Sequence, residues 1–408
     1  MTPHRKTSVE SELGRHPVDV TDRSFETLGL PDEILKSVRR VGFANPTPIQ
    51  SAVIPPALDG RDIIGLAQTG SGKTAAFVIP MASRLMHGEG LRGLIVCPTR
   101  EIALQTKAFL DLFGKPHKLR TCCVIGGVKM GPQIAELKAK PDIVVCTPGR
   151  LVDHMERRNV NLAGVSDLVL DEADHMLDLG FLPQIGRILK ALPRERRTMM
   201  FSATMPASIE RLARQFLEDP VRIDILPEGR AAEGITHRLY MVDDPDKRKC
   251  LLALLGQELG STLVFTRRKI DADWICGVLK KEGHPVSNIH SDRSQSERTQ
   301  ALKGFREGKH RILVATDIAS RGIDVPGIEH IVNFDIPQTV EEYIHRAGRT
   351  ARMERPGLVS TIATWQEKDM VKEIEATIGK ELPRCTLPGV EPYVERKVRY
   401  LDKRLRRR

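Results

Sequence analysis

Aromatic residues are scarce. Two Trp, four Tyr and 11 Phe make up only 4% of the 408 residues, too few to line a sheet on which successive nucleic-acid bases stack. Any nucleic acid would be gripped mainly by its backbone. Long apolar runs are missing as well. None approaches the roughly 20 residues that a bilayer span requires, and the opening stretch MTPHRKTSVESELGR holds no apolar signal core. The expectation is a cytoplasmic protein with no membrane association. The seven cysteines are odd in number and show neither C-x-x-C nor Cys/His spacing, which argues against a disulfide framework and the usual zinc sites. Cys97 and Cys146 fall in apolar, strand-like runs and Cys122 and Cys123 are adjacent, so buried free thiols in a reducing compartment are expected.

What the chain has in excess is positive charge. The formal net charge is +10, a balance that favours a polyanionic partner through counterion release and also serves simple solubility. Its last 14 residues, ERKVRYLDKRLRRR, carry +6 of that total. Either a basic nucleic-acid tail or a solvated terminus fits such a segment.

A chain of 408 residues suits two α/β domains of roughly 200 residues each. Short apolar runs alternate with helical patterns, which predicts βα units and parallel sheets. In the first half the runs are DIIGLA (62–67), GLIVCP (93–98), CCVIGG (122–127), DIVVCTP (142–148), DLVLDEAD (167–174) and RTMMFSAT (197–204). In the second they are STLVFT (261–266), VSNIH (286–290), RILVATD (311–317), HIVNFD (330–335) and GLVSTIAT (357–364). Between them, the Pro/Gly/small-residue stretch DILPEGRAAEG (224–234) breaks the pattern and reads as a linker. The expected organisation is a flexible N-terminus (1–22), a first lobe (23–224), a linker (225–234), a second lobe (235–392) and a basic tail (393–408). Each lobe is a mostly parallel sheet flanked by helices, and a cleft lies between the lobes.

The first run leads into Ala67, Gln68, Thr69, Gly70, Ser71, Gly72, Lys73 and Thr74. This departs from the phosphate-loop pattern G-x-x-x-x-G-K-[ST] only at Ala67. Gly70 and Gly72 allow the tight turn that aims backbone N–H groups at phosphate oxygens near a helix N-terminus. Lys73 would pair with the β/γ-phosphates, and the Thr74 hydroxyl would help to hold Mg²⁺. Such a site needs a carboxylate at the end of another strand, and Asp171 closes the run DLVLD. Asp171 is then the metal-associated acid and Glu172 the residue that orients or deprotonates the attacking water.

Together, the loop and Asp171-Glu172-Ala173-Asp174 resemble the DEAD-box RNA helicases of superfamily 2, whose phosphate loop reads A-x-T-G-x-G-K-T. The resemblance covers about residues 23–392 and implies tandem RecA-like lobes and ATP-driven RNA remodelling. It makes GFANPTPIQ (42–50) an adenine-recognising segment in which Gln50 reads the base edge and Phe25, 17 residues before Gly42, packs nearby. A side-chain amide offers the donor and acceptor that an adenine edge demands. Without the resemblance, Pro46-Thr47-Pro48 is only a turn leading into a helix.

The resemblance also gives Ser202 and Thr204 of Ser-Ala-Thr, with Asp174, the task of coupling phosphate chemistry to lobe closure. In HRAGRTAR (345–352), four cationic side chains recur within eight residues and would repel one another unless an anion or carboxylates offset them. The family pattern implies that Arg349 and Arg352 reach the γ-phosphate as fingers, with His345 and Arg346 in the coupling set. Asp324 in ASRGIDV matches the acid that contacts the ribose. RNA contacts are implied for Thr99, Arg100, Gly126, Gly127, Thr147 and Arg150 in the first lobe, and for Arg267, Gln295, Arg298 and Thr316 in the second. These loops are expected on the other side of the same two sheets. The implied cofactors are ATP and Mg²⁺. The implied partner is RNA, single-stranded or a short duplex held by its backbone, with ribonucleoprotein partners beyond it, and the enzyme itself is expected to be a monomer. Lobe closure on ATP and RNA would bend one strand and separate short duplexes locally. A long-lived ATP-gated RNA clamp and a DNA translocase are the rival readings.

Overall fold

The computed structural model describes residues 24–67, 70–225, 234–257, 260–317, 327–351 and 356–393, without the side chains of Gln295 and Glu341. Several expectations therefore lie outside the described residues: the stretch 1–22, Gln68, Thr69, the Gln295 side chain, Asp324, Arg352, positions 226–233 of the linker and 394–408 of the tail.

Two compact units are present. Among the described residues the first is built on seven strands: β1 (Ile63–Ala67), β2 (Gly93–Val96), β3 (Thr121–Val124), β4 (Ile143–Cys146), β5 (Asp167–Leu170), β6 (Arg197–Ser202) and β7 (Val221–Ile225). They lie side by side in the order β3-β4-β2-β5-β6-β1-β7. The second has β8 (Ile235–Met241), β9 (Thr262–Thr266), β10 (Val286–Ile289), β11 (Ile312–Thr316), β12 (His330–Asn333) and β13 (Gly357–Ala363), in the order β10-β11-β9-β12-β13-β8. Neighbouring strands pair in parallel in both sheets.

Parallel strands with helices on both faces read as near-continuous apolar runs. β1, β2 and β4, with sequences IIGLA, GLIV and IVVC, are buried throughout. Alternate residues of one strand enter opposite halves of the core. Ile63, Ile95 and Val145 pack with Phe77 and Phe201 on one face, while Ile64, Leu94, Val96 and Val144 pack with Leu151 and Ile188 on the other. Burying each such side chain contributes about 1.5–3 kcal/mol. Mixed polarity at the sheet margins hid two strands from the sequence. β7 (VRIDI) and β8 (ITHRLYM) are the terminal strands of their sheets and carry polar residues, alternating in β7 and consecutive at Thr236-His237-Arg238 in β8. The linker expectation is corrected accordingly: Asp224 and Ile225 pair with Leu66 and Ala67 inside β7.

Because the strands are parallel, their C-terminal ends share one edge. In the first sheet Leu66 aligns with Ser202, Leu170 with Met200, Val96 with both Leu170 and Cys146, and Val124 with Cys146. The loops expected to hold nucleotide follow β1, β5 and β6, and those expected to hold RNA follow β2, β3 and β4. This corrects the expectation that the two sets occupy different sides of the sheet. They occupy one edge, side by side, as the strand order β3-β4-β2 then β5-β6-β1 requires. The opposite edge is stitched by acids. Asp62 accepts from Thr198 N (2.6 Å) and Glu218 N (2.8 Å), and Asp167 accepts from Arg84 Nε (2.9 Å). No helix of the described residues is long and apolar enough to cross a membrane. The seven cysteines are free thiols, and burial pushes Cys123 up to about 12 and Cys97 and Cys146 well above their ordinary value.

Candidate active site

β1 runs through the loop Gly70–Gly72 into the helix Lys73–Leu85. Gly72 has φ 95°, in the left-handed region that glycine enters without strain. Space demands glycine there too. A Cβ on Gly72 would collide with Gln50 Nε2 and lie 2.9 Å from Thr47 Oγ1. Gln50 belongs to the first turn of the helix Pro48–Leu58, which starts after the N-cap Thr47. Its Oε1 accepts from Thr47 N at 3.0 Å and its Nε2 donates to Gly72 O at 3.2 Å. Phe25 is 2% exposed and stacks on Phe43, with ring centroids 6.1 Å apart, so it supports this segment through packing. Lys73 is buried and folds back to donate from Nζ to Ala67 O at 2.7 Å, which keeps its ammonium at the loop. Ser71 and Thr74 are half-buried on either side of Gly72 and Lys73.

Asp171 directly follows β5 and is 4% exposed. Burial, reinforced by the like charge of Glu172, pushes its carboxyl up to about 7, and Lys73 opposes that rise. Glu172 adopts φ 49° and ψ 57°, a left-handed backbone that a non-glycine residue holds only where its surroundings enforce it. Asp174 supplies part of that enforcement. Its Oδ2 accepts from Ala203 N (3.0 Å), Thr204 N (2.9 Å) and Thr204 Oγ1 (3.0 Å), while its own N donates to Ser202 Oγ (3.3 Å). The Ser-Ala-Thr segment and the acidic segment are thus one hydrogen-bonded unit.

The first-unit RNA candidates also converge. The Arg100 guanidinium lies over Gly126 and Gly127, and a Cβ on Gly127 (φ 70°) would collide with it. Thr147 Oγ1 accepts from Gly126 N at 3.4 Å, and Arg150 Nη1 donates to Val128 O at 3.0 Å. Thr99 caps the helix Arg100–Gly114 by accepting from Ile102 N at 3.3 Å. Burial lowers the pKa of Arg100, and the neighbouring charge of Arg150 acts in the same direction.

In the second unit Thr316 ends β11 in register with Thr266, which ends β9. Arg267 follows β9, and its N donates to Asp335 Oδ2 at 2.9 Å. Gln295 and Arg298 lie in the first turn of the helix Gln295–Arg306, in a stretch (293–299) that groups with the first unit although the rest of the helix belongs to the second. His345 and Arg346 lie near the end of the helix Val340–Ala347, and Arg349 sits buried in the turn after it. Arg346 makes a buried fork. Nε and Nη2 each donate to Asp317 at 2.6 Å, Nη1 donates to Asn333 Oδ1 (3.1 Å) and Asp335 O (2.7 Å), and the guanidinium sits 4.9 Å from the Phe265 ring centroid. Asp317 is therefore one of the offsetting carboxylates that the arginine-rich run required. No motif spacing marks it in the sequence, although it directly follows Thr316. Nor does any spacing mark His175, next to Asp174.

Comparison with known proteins agrees with this geometry. Residues 47–212 match the DEAD/DEAH box helicase family model and residues 246–354 match the helicase conserved C-terminal domain. The chain is 42% identical to the ATP-dependent rRNA helicase RRP3 of Saccharomyces cerevisiae, over 90% of this chain and 74% of that one. It is 38% identical to the DEAD-box ATP-dependent RNA helicase CshA of Bacillus subtilis, over 94% of this chain and 78% of that one. Its fold is similar to that of S. cerevisiae Dbp5 bound to RNA and ADP BeF3, with a TM-score of 0.81, 32% identity and coverage of 89% of this chain and 96% of that one. Two parallel-sheet units, RecA-like in kind, joined to these motifs identify the chain as a member of the DEAD-box family of ATP-dependent RNA helicases.

Proposed function

We propose that this helicase uses ATP hydrolysis for local, non-processive separation of short RNA duplexes, gripping one strand by its backbone. The observation that carries the reading is the shared sheet edge. Loops after β1, β5 and β6, assigned to nucleotide in this reading, and loops after β2, β3 and β4, assigned to RNA, leave that one edge. A shift in the nucleotide half is therefore transmitted to the RNA half through one rigid sheet, with the Asp174–Thr204 bonds as the first link.

In this reading Gln50 selects adenine, and Lys73 leaves Ala67 O to pair with phosphate oxygens. Glu172 accepts a proton from the attacking water. Arg349 and Arg352 offset the charge that develops on the γ-phosphate. Asp171 and Thr74 offer hard oxygen donors, a carboxylate and a hydroxyl, which suit Mg²⁺. Bound there with ATP, Mg²⁺ would supply positive charge to the phosphate oxygens. Because Glu172 and Arg349 belong to different units, we propose that turnover needs both units. A cytoplasmic location belongs to the same reading, supported by the free thiols. Ribonucleoprotein partners remain part of it through the likeness to a named rRNA helicase.

RNA-stimulated ATP turnover measured beside the lifetime of the RNA complex tests the proposal. A helicase releases RNA on the timescale of turnover. A complex that outlives many turnovers would instead mark a clamp, and equal stimulation by single-stranded DNA would mark a translocase of broader substrate range.

A further inference from the structure

The Glu172 carboxylate is held by a residue to which no role has been assigned above. His175 lies in the helix Ala173–Asp178, is 2% exposed, and places Nδ1 3.0 Å from Glu172 Oε2. The Glu172 side chain is itself only 14% exposed. To serve as a base Glu172 must be ionised, and an ionised carboxylate can only accept, so in that state Nδ1 carries the hydrogen and donates it. On the far side of the ring, Nε2 is buried with no hydrogen-bond partner among the described residues. A hydrogen placed there would be an unpaired buried donor. Both ends of the ring therefore select the form with hydrogen on Nδ1, the form that faces Glu172.

The backbone of His175 is fixed as firmly as its ring. Its N donates to Asp174 Oδ1 at 2.9 Å, while Asp174 Oδ2 receives the three donors from Ala203 and Thr204. Hydrogen bonds thus run from Thr204 to Asp174, from Asp174 to the His175 backbone, and from the His175 ring to Glu172. The left-handed backbone at Glu172 carries the carboxylate to the start of this helix, and the ring then fixes how it is turned.

We propose that His175 is a positioning residue for ATP hydrolysis, its Nδ1–H holding the Glu172 carboxylate in the orientation that receives the proton of the attacking water. The proposal rests on the reading of Glu172 as the general base. A base must present its oxygen within hydrogen-bond reach of the proton that it takes, and loss of the Nδ1–H bond at 3.0 Å would disturb that alignment. The loss falls on kcat rather than on ATP binding, because His175 touches the base and not the nucleotide-binding residues.

The test uses the full chain at saturating RNA, with His175→Leu, His175→Asn and His175→Gln. Asn can place an N–H near the position of Nδ1, Gln near that of Nε2, and Leu offers none. The expected result is a fall in kcat of about tenfold or more for Leu and Gln, an ATP KM within about twofold, and recovery by Asn to within about threefold of the native rate. If the Leu variant does not fold, the contrast between Asn and Gln decides. Adding His175→Leu to Glu172→Gln should cause no further loss, since the ring would act only through the missing carboxylate. Equal rates for Asn and Gln, or a full additional loss in the double variant, would overturn the role. Near-native turnover by Glu172→Gln alone would overturn the assignment of the base, and the proposal with it. A silent His175→Leu beside an inactive Glu172→Gln would overturn the proposal alone.

Discussion

Gln50 donates from Nε2 to the carbonyl of Gly72 at 3.2 Å, so the residue expected to read a base also braces the phosphate loop. Its other amide atom is tied to Thr47 N at 3.0 Å. Gln50→Glu would keep that acceptor but turn a carboxylate oxygen toward the Gly72 carbonyl. We expect ATP affinity to fall about tenfold, equivalent to about 1.4 kcal/mol. Gln50→Ala should narrow the preference for ATP over GTP. Nucleotide titrations of both variants check this, and unchanged ATP affinity in Gln50→Glu would remove the brace.

Thr204→Val deletes one donor to Asp174 and leaves the two backbone donors in place. One such bond is worth about 1 kcal/mol, enough to loosen the link without dismantling the site. RNA-stimulated ATP turnover should stay within about threefold of native, while strands separated per ATP fall about fivefold. Parallel loss of both activities would show that the bond serves chemistry rather than coupling.

Arg346 illustrates a motif residue whose place differs from what its neighbours suggest. Its guanidinium is spent on Asp317, Asn333 and Asp335 inside the second unit. Arg346→Lys cannot reproduce the two-pronged bond and leaves a largely buried carboxylate poorly paired, at a cost of roughly 3 kcal/mol. A clear drop in the unfolding midpoint of the second unit is expected, and calorimetry would detect it. Native stability with lost turnover would return Arg346 to a direct role at the site.

Acid should weaken the second unit. His237 bonds through Nδ1 to Tyr343 OH (2.7 Å), and His330 bonds through Nε2 to Ser360 Oγ (2.9 Å). Burial lowers each to about 4 from an ordinary 6.5, with help from Lys380 at His237 and from Arg238 and Arg311 at His330. The depressed value means that stability is complete above about pH 6.5 and is lost as pH falls toward 4, at about 1.4 kcal/mol per unit for each group. His330→Gln can keep the bond to Ser360 without titrating, so its unfolding midpoint should decline less steeply with acid. Parallel decline in native and variant proteins would exclude His330 as a source.

These residues show where sequence suffices and where it stops. Interior parallel strands such as IIGLA and IVVC are legible because both faces must be apolar. The marginal strands VRIDI and ITHRLYM are not, since an outer strand tolerates Arg222, Asp224 and His237. Motif positions could be read because their chemistry is local to each loop. The Gln50–Gly72 brace, the Arg346–Asp317 fork and the collection of nucleotide and RNA loops on one sheet edge depend on strand order, which no single segment encodes. His175 was overlooked for another reason: one histidine beside an acidic run is unremarkable until its ring is seen on Glu172.

The most direct test of the account follows displacement of one strand from a short RNA duplex, with ATP, in native protein and in Glu172→Gln. ATP-dependent displacement by the native protein is expected, with retained binding of ATP and RNA by the variant and repeated turnover lost. Native-like multiple-turnover displacement by Glu172→Gln, or displacement by the native protein that needs no ATP, would contradict it.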